Sequence, residues 1–164
     1  MQVSIAFESS ALNLNEKSIQ LIVEESLRYE QVTCDEINLY FVDTAAITSL
    51  HEEHFDDPTT TDCITFPLDP PFSPAPFPKV LGDVFVCVNT AIDYAKENDL
   101  CAYEELSLYI IHGLLHLIGF DDIEEEDRLI MRQKEQEHLT HLKAKKLLLT
   151  SKQMNLNNSN SEAF

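Results

Sequence analysis

Apolar and polar residues alternate from Val3 to Phe7, which predicts a first strand. Asn15 stands where it can cap a helix from Glu16 to about Glu30, whose Ile19, Ile22, Val23 and Leu27 recur on one face. Ile37, Leu39 and Phe41 alternate with Asn38 and Tyr40, a second strand. Asp43 or Thr44 caps a shorter helix through about His54, ended by Asp56-Asp57-Pro58. Cys63 to Phe66 is a short strand that stops at Pro67. All but one of the seven prolines fall in the following PLDPPFSPAPFP, residues 67–78, a density that permits only an extended loop. Gly82 to Val88 resumes as a buried strand, and Asn89 or Thr90 caps a helix to about Asn98. A helix follows from about Tyr103 to Ile118, then a long charged one from Glu124 to about Leu149. Strands mixed with helices, with no Gly-rich phosphate loop after a strand, predict an α+β fold. The expected architecture is a small mixed four-stranded sheet flanked by about five helices, as a single domain over residues 1–149. An Asn- and Ser-rich tail, 150–164, is expected to be disordered.

One stretch departs from ordinary amphipathic patterning. From Leu106 to Ile118 nearly every residue is apolar, which belongs to a helix inside the core, yet His112 and His116 interrupt it four residues apart. That spacing returns both imidazoles to one face of the helix. Their ring nitrogens can then approach the separation of about 3.3 Å that two tetrahedral Zn–N bonds require. Gly119 provides the left-handed residue that ends a helix, with Phe120 free to pack back on the last turn. The reversal aims Asp121 and Asp122 at the histidine face. The pattern His-x3-His-x5-Asp offers three ligands, His112, His116 and Asp122, with an open fourth position, as in catalytic rather than structural zinc sites. A competing placement lets Asp121 itself ligate. A lone histidine in an apolar helix is more often a hydrogen-bonded core residue. The pair, the glycine stop and the twin aspartates together favour the metal.

Composition changes this picture in three ways. The chain has three glycines where average usage for 164 residues gives about eleven, and Gly113 and Gly119 both lie in this motif. Gly113 in mid-helix costs about 1 kcal/mol against alanine, so it signals a need for backbone room beside His112. The net charge of −18 argues against generic nucleic-acid binding, which relies on phosphate neutralisation. Seven of the eleven basic residues, however, fall after residue 127: Arg128, Arg132, Lys134, Lys143, Lys145, Lys146 and Lys152. A solvated helix face explains that cluster, and Arg128, Arg132 and Lys134 are the alternative path for an anionic partner. Finally, Cys34, Cys63, Cys87 and Cys101 lack Cys-x-x-Cys spacing and read as buried free thiols of a reducing cytoplasm. Neither a secretory signal between Met1 and Glu16 nor a membrane span is expected. His51 and His54 are expected at the surface, and His138 and His141, among charges on the last helix, facing solvent.

At HGLLHLIGFDD, residues 112–122, the chain resembles the YbeY family of bacterial endoribonucleases of rRNA maturation. That family's signature runs His-Gly-x-Leu-His-Leu-x-Gly-Tyr-Asp-His. The stretches Thr61-Asp62-Cys63-Ile64-Thr65-Phe66-Pro67 and Leu81-Gly82-Asp83-Val84 resemble two further family segments, in the same order and at compatible spacing. The resemblance implies a bound zinc, one per chain, or another divalent metal. It also implies metal-dependent cleavage of single-stranded rRNA in 16S rRNA 3′-end maturation and ribosome quality control, beside ribosomal or small-subunit proteins in the cytoplasm. Carried over by position, His112 and His116 are metal ligands and Asp122 stands where the family has a third histidine. Asp121 matches the family aspartate, which orients a ligand or takes a proton, so the catalytic assignment falls on Asp121 and His116. Phe55 stands where the family has an arginine. Two rival functions remain. A metallopeptidase of the His-Glu-x-x-His type needs a glutamate base where this chain has Gly113. A non-catalytic ribosome assembly factor with a vestigial or structural metal needs no base at all.

Overall fold

The computed structural model describes residues 1–151. The elements run β1 (Gln2–Phe7), α1 (Glu16–Tyr29), β2 (Glu36–Val42), α2 (Thr44–Phe55), β3 (Cys63–Pro67), β4 (Val80–Cys87), α3 (Val88–Glu97), α4 (Ala102–Leu117) and α5 (Glu125–Ala144). The strands form one mixed sheet in the order β1-β2-β4-β3. β1, β2 and β4 are parallel, and β3 pairs antiparallel with β4. This is the α+β domain expected, with four strands and five helices among the described residues. No described helix is long and apolar enough to cross a membrane. Of the tail expected to be disordered, 150–164, residues 152–164 lie outside the described residues.

The apolar periodicities explain the layers. Ile37, Leu39 and Phe41 of β2 and Leu81, Val84 and Val86 of β4 point to one face of the sheet and are fully buried. Against them pack α1, through Ile19, Ile22, Val23 and Leu27, and α4. A smaller cluster of Val42, Ile47, Ile64 and Cys87 lies beneath α2. Because α4 touches α1, α3, α5, β3 and β4, it is enclosed nearly all round, as its sequence requires. Asn15 caps α1 by accepting the Ser18 N–H at 2.9 Å, and Asp43 caps α2 by accepting from Ala46 at 2.8 Å.

Several boundaries differ from expectation for identifiable reasons. Chain passes directly from β4 into α3, with Cys87 at the cap, so Asn89 and Thr90 fall in the first turn instead of preceding it. α5 ends at Ala144 rather than near Leu149. Lys146 takes a left-handed conformation (φ 58°) that reverses the chain. The reversal brings Leu148 and Leu149 back to the core, where the Leu149 N–H bonds to Ser107 Oγ at 3.0 Å.

The expectation that His138 and His141 face solvent is wrong for His138 and holds only in part for half-buried His141. His138 is 1% exposed. Its Nε2 lies 2.8 Å from Glu30 Oε1, and His141 Nε2 lies 2.9 Å from Glu25 Oε1. The two acidic residues of α1 draw these histidines into the α1–α5 seam, where Tyr29 packs on both rings. Burial holds the His138 imidazole below its ordinary pKa, although Glu30 opposes this. All four cysteines are free thiols, but the expected burial holds for Cys87 alone: Cys34 and Cys63 are half-buried and Cys101 is exposed.

Candidate metal centre

The site is built on the last two turns of α4. Gly119 (φ 108°) ends the helix: its N–H bonds to His116 O at 3.1 Å, and the Phe120 N–H to Leu115 O at 3.0 Å. This paired closure is the Schellman arrangement, and Phe120 packs back against the core. The turn brings Asp122 over the histidine face. Its Oδ2 lies 3.5 Å from His112 Nε2, and its Oδ1 lies 3.5 Å from His116 Nε2. The two Nε2 atoms are 3.1 Å apart, with the rings nearly perpendicular at 89°.

These spacings allow a direct test of fit. Bonds of about 2.05 Å at tetrahedral angles give ligand–ligand edges of about 3.3 Å. The Nε2–Nε2 edge of 3.1 Å is close to that value, and each Nε2 lies 3.5 Å from a different oxygen of Asp122, so the carboxylate stands within reach of both rings. Two imidazole nitrogens and one carboxylate, donors of the kinds that zinc accepts, therefore form a group that could hold one metal ion.

Gly113 is explained by the packing of the same helix. A Cβ there would lie 2.5 Å from Val84 Cγ1 and 2.9 Å from Cys63 Sγ. The glycine lets α4 press on β3 and β4 next to His112, which is the backbone room that the sequence called for.

Asp121 does not join the cluster. It is exposed, and its Oδ1 accepts the Asp122 N–H at 2.7 Å, which fixes the backbone of the residue that does. His51 Nδ1 donates to Thr59 O (2.7 Å), and exposed His54 sets its ring against Phe66, so neither enters the cluster. Phe55 is 55% exposed at the end of α2. Lys134 is drawn toward Glu30 (3.1 Å) and Glu137 (3.6 Å) and over the Phe120 ring. It is committed to the α1–α5 seam rather than free for an anionic partner, while Arg128 is exposed on the α5 surface.

The sequence reading missed Glu135. This residue is 4% exposed, and its Oε1 lies 2.7 Å from His112 Nδ1. A carboxylate behind a histidine fixes the tautomer: Nδ1 donates, leaving the Nε2 lone pair toward the cluster. Arg132 Nη1 donates to both Glu135 oxygens, at 2.9 and 2.7 Å. Burial pushes Glu135 up, but the His112 and Arg132 hydrogen bonds outweigh it and the net shift is downward. At His112 burial acts downward, and Glu135 with the Asp62 and Asp122 charges turns the net shift upward. Surroundings that favour positive charge on the ring also favour a cation beside it. One signal could have revealed Glu135. Met131, Glu135, His138 and Leu142 form the buried stripe of α5, so an acid stands at a core position. Beside His112 opens a cleft of about 660 Å³, lined also by Asp62, Tyr109, Arg132 and Glu135.

Comparisons with known proteins place the whole chain. The family model described as Endoribonuclease YbeY matches residues 4–143. A Protochlamydia amoebophila protein named Endoribonuclease YbeY is 48% identical over 147 residues, covering 90% of this chain and 97% of that one. Its namesake from Chlamydia muridarum is 38% identical over 149 residues, covering 90% and 92%. A solution structure of a Thermotoga maritima protein superposes with a TM-score of 0.60 at 21% identity, covering 92% of this chain and 98% of that one. The last of these supports the fold alone.

Proposed function

This chain belongs to the YbeY family of endoribonucleases, and on that premise we propose that it is a metal-dependent endoribonuclease that hydrolyses phosphodiester bonds in single-stranded RNA. His112, His116 and Asp122 hold one divalent cation, zinc foremost. The substrate is rRNA, the step is maturation of the 16S 3′ end with a part in ribosome quality control, and the setting is the cytoplasm. The observation that carries this reading is the convergence of two Nε2 atoms and one carboxylate within 3.1–3.5 Å of one another beside an open cleft.

A divalent cation, when bound, supplies Lewis acidity that activates water and offsets charge developing on the phosphate. The chain's own residues do the remaining work. Glu135 holds the His112 proton at Nδ1 and so keeps Nε2 available. Asp121 holds the Asp122 backbone in place and, exposed beside the cluster, is the carboxylate available to move a proton. With a carboxylate rather than a third imidazole, the donor set is harder, so Mn²⁺ competes with zinc better than at an all-histidine site.

The test pairs metal analysis with cleavage. Purified protein should carry near one zinc per chain and cut single-stranded RNA ending in the 16S 3′ sequence. Chelator, His112→Ala and His116→Ala should each abolish both. The replacement of the family's third histidine by Asp122 favours a second reading, a ribosome assembly factor without catalysis. Metal-loaded protein that associates with small-subunit particles but leaves single-stranded RNA intact would decide for it.

A further inference from the structure

A phosphodiester approaching the cleft meets unfavourable charge. Asp62, Glu105 and Glu135 line it, and Asp122 closes the cluster beside it. Four formal negative charges face one divalent cation, which leaves a deficit of about two that Arg132 reduces to about one before any RNA arrives. Arg132 is the one lysine or arginine among the described residues that line this cleft. Its placement is unusual in combining exposure with a fixed position. The side chain is 64% exposed, yet Nη1 is held by both oxygens of a carboxylate that is 5% exposed. A guanidinium carries five N–H donors in a rigid fork. Here only Nη1 is engaged, so the Nε and Nη2 donors have no partner among the described residues.

Resting on the nuclease reading above, we propose that Arg132 is the phosphate-binding cation of this cleft, positioned by Glu135 to take non-bridging oxygens of the RNA strand. Glu135 thus serves two neighbours at once: it orients His112 through one contact and Arg132 through the other. The positions of the histidine and of the bound phosphate are coupled through a single buried carboxylate. Two alternatives on the same helix are weaker. Lys134 is committed to Glu30 and Glu137, and the Arg128 side chain has no anchoring contact among the described residues that would set its position. Arginine rather than lysine fits the task, because a planar fork can give one edge to Glu135 and another to a phosphate.

The experiment uses the metal-loaded full chain and a labelled single-stranded oligoribonucleotide, read by anisotropy across salt concentrations and by initial cleavage rates. Arg132→Gln should raise Kd and KM by about tenfold, as expected for losing a charge-assisted hydrogen bond, while kcat changes less. The slope of log Kd against log salt should shrink by about 0.7, one phosphate contact on a single strand. Arg132→Lys should recover most of the slope and only part of the affinity, with zinc content unchanged in both variants. Unchanged Kd, KM and slope in Arg132→Gln would overturn the proposal and leave Arg132 as a clamp on Glu135. Loss of zinc with RNA affinity restored by excess zinc would overturn it in the same way. Wild-type protein that binds the oligonucleotide without cutting it would defeat the nuclease reading alone, with Arg132 still judged by Kd and slope. Wild-type protein that binds no single-stranded RNA would defeat both.

Discussion

Gly113→Ala isolates how α4 is seated. Alanine is the better helix former by about 1 kcal/mol, so propensity alone predicts a more stable protein. The packing predicts the opposite. The new Cβ would stand 2.5 Å from Val84 Cγ1 and 2.9 Å from Cys63 Sγ, whereas carbon contacts sit at about 3.5–4.0 Å. About 1 Å of separation must therefore be found. Val84 is fully buried and β-branched, so its side chain cannot swing aside, and the helix must lift from β4. Overpacking of this kind costs about 1–3 kcal/mol, which leaves a net loss of up to about 2 kcal/mol after the propensity gain. At about 2–4 °C per kcal/mol for a chain of this size, the melting temperature should fall by up to about 8 °C. His112, His116 and Asp122 all ride on α4 and its terminal turn, so zinc stoichiometry should persist even as stability falls. The assay is thermal melting of Gly113→Ala, Val84→Ala and the double variant, with zinc measured in each. Gly113→Ala should cost at least about 0.5 kcal/mol less in the Val84→Ala background, because the cavity accepts the methyl. A rise of 2–4 °C in the single variant, with a strictly additive cycle, is what propensity alone gives. That result would refute the close approach.

Two further outcomes follow from the site and from the α1–α5 seam. Asp122→Ala should weaken zinc binding by more than about tenfold, and Asp122→His should restore or strengthen it. Titration against a competing chelator reads both, and normal binding in Asp122→Ala with loss in Asp121→Ala would move the ligand one residue back. At the seam, hydrogen bonds from Lys145 and then His141 hold Glu25 at a pKa of about 2, below its ordinary 4.5. A depressed carboxylate stabilises the fold fully above its unfolded pKa, and that stability is lost as pH falls from about 4.5 toward about 2. Glu25→Gln should flatten the loss of stability over that window in denaturant titrations, and an unchanged acid limb would discard Glu25 as a contributor.

Legibility followed locality. The strands, the caps at Asn15 and Asp43, the glycine stop at Gly119 and the histidine pair all depend on residues within a few positions of one another, and all could be read directly. So could the placement of Asp122 over the histidines, since one turn of known geometry connects them. Contacts between distant segments were hidden. Glu135 lies 23 residues from His112, and Glu30 lies 108 from His138. A charged helix such as α5 looks solvated when read alone, because nothing in its own periodicity says that α1 offers Glu25 and Glu30 opposite it. The early end of α5 was hidden for the same reason. Its last apolar residues continue the helical pattern, but they are used after a reversal at Lys146, against Ser107 of α4.

The pairing of His112 with Glu135 is itself an argument for chemistry over stability. Both residues are nearly buried, at 7% and 4% exposure, in the seam between α4 and α5. Removing such groups from water costs several kcal/mol each unless geometry and hydrogen bonding offset it, and apolar residues of similar volume pack as well or better. Met131 and Leu142 on the same stripe, and Ile111 and Leu115 beside the histidine in α4, are buried apolar side chains. Leucine at either position would serve the fold. What leucine could not do is fix a ring tautomer toward an open carboxylate–histidine cluster, or hold a guanidinium at the mouth of the adjoining cleft. A pair that is dispensable for packing, and that orients a ligand atom on one side and a cation on the other, is best understood as part of the site that α4 was seated to carry.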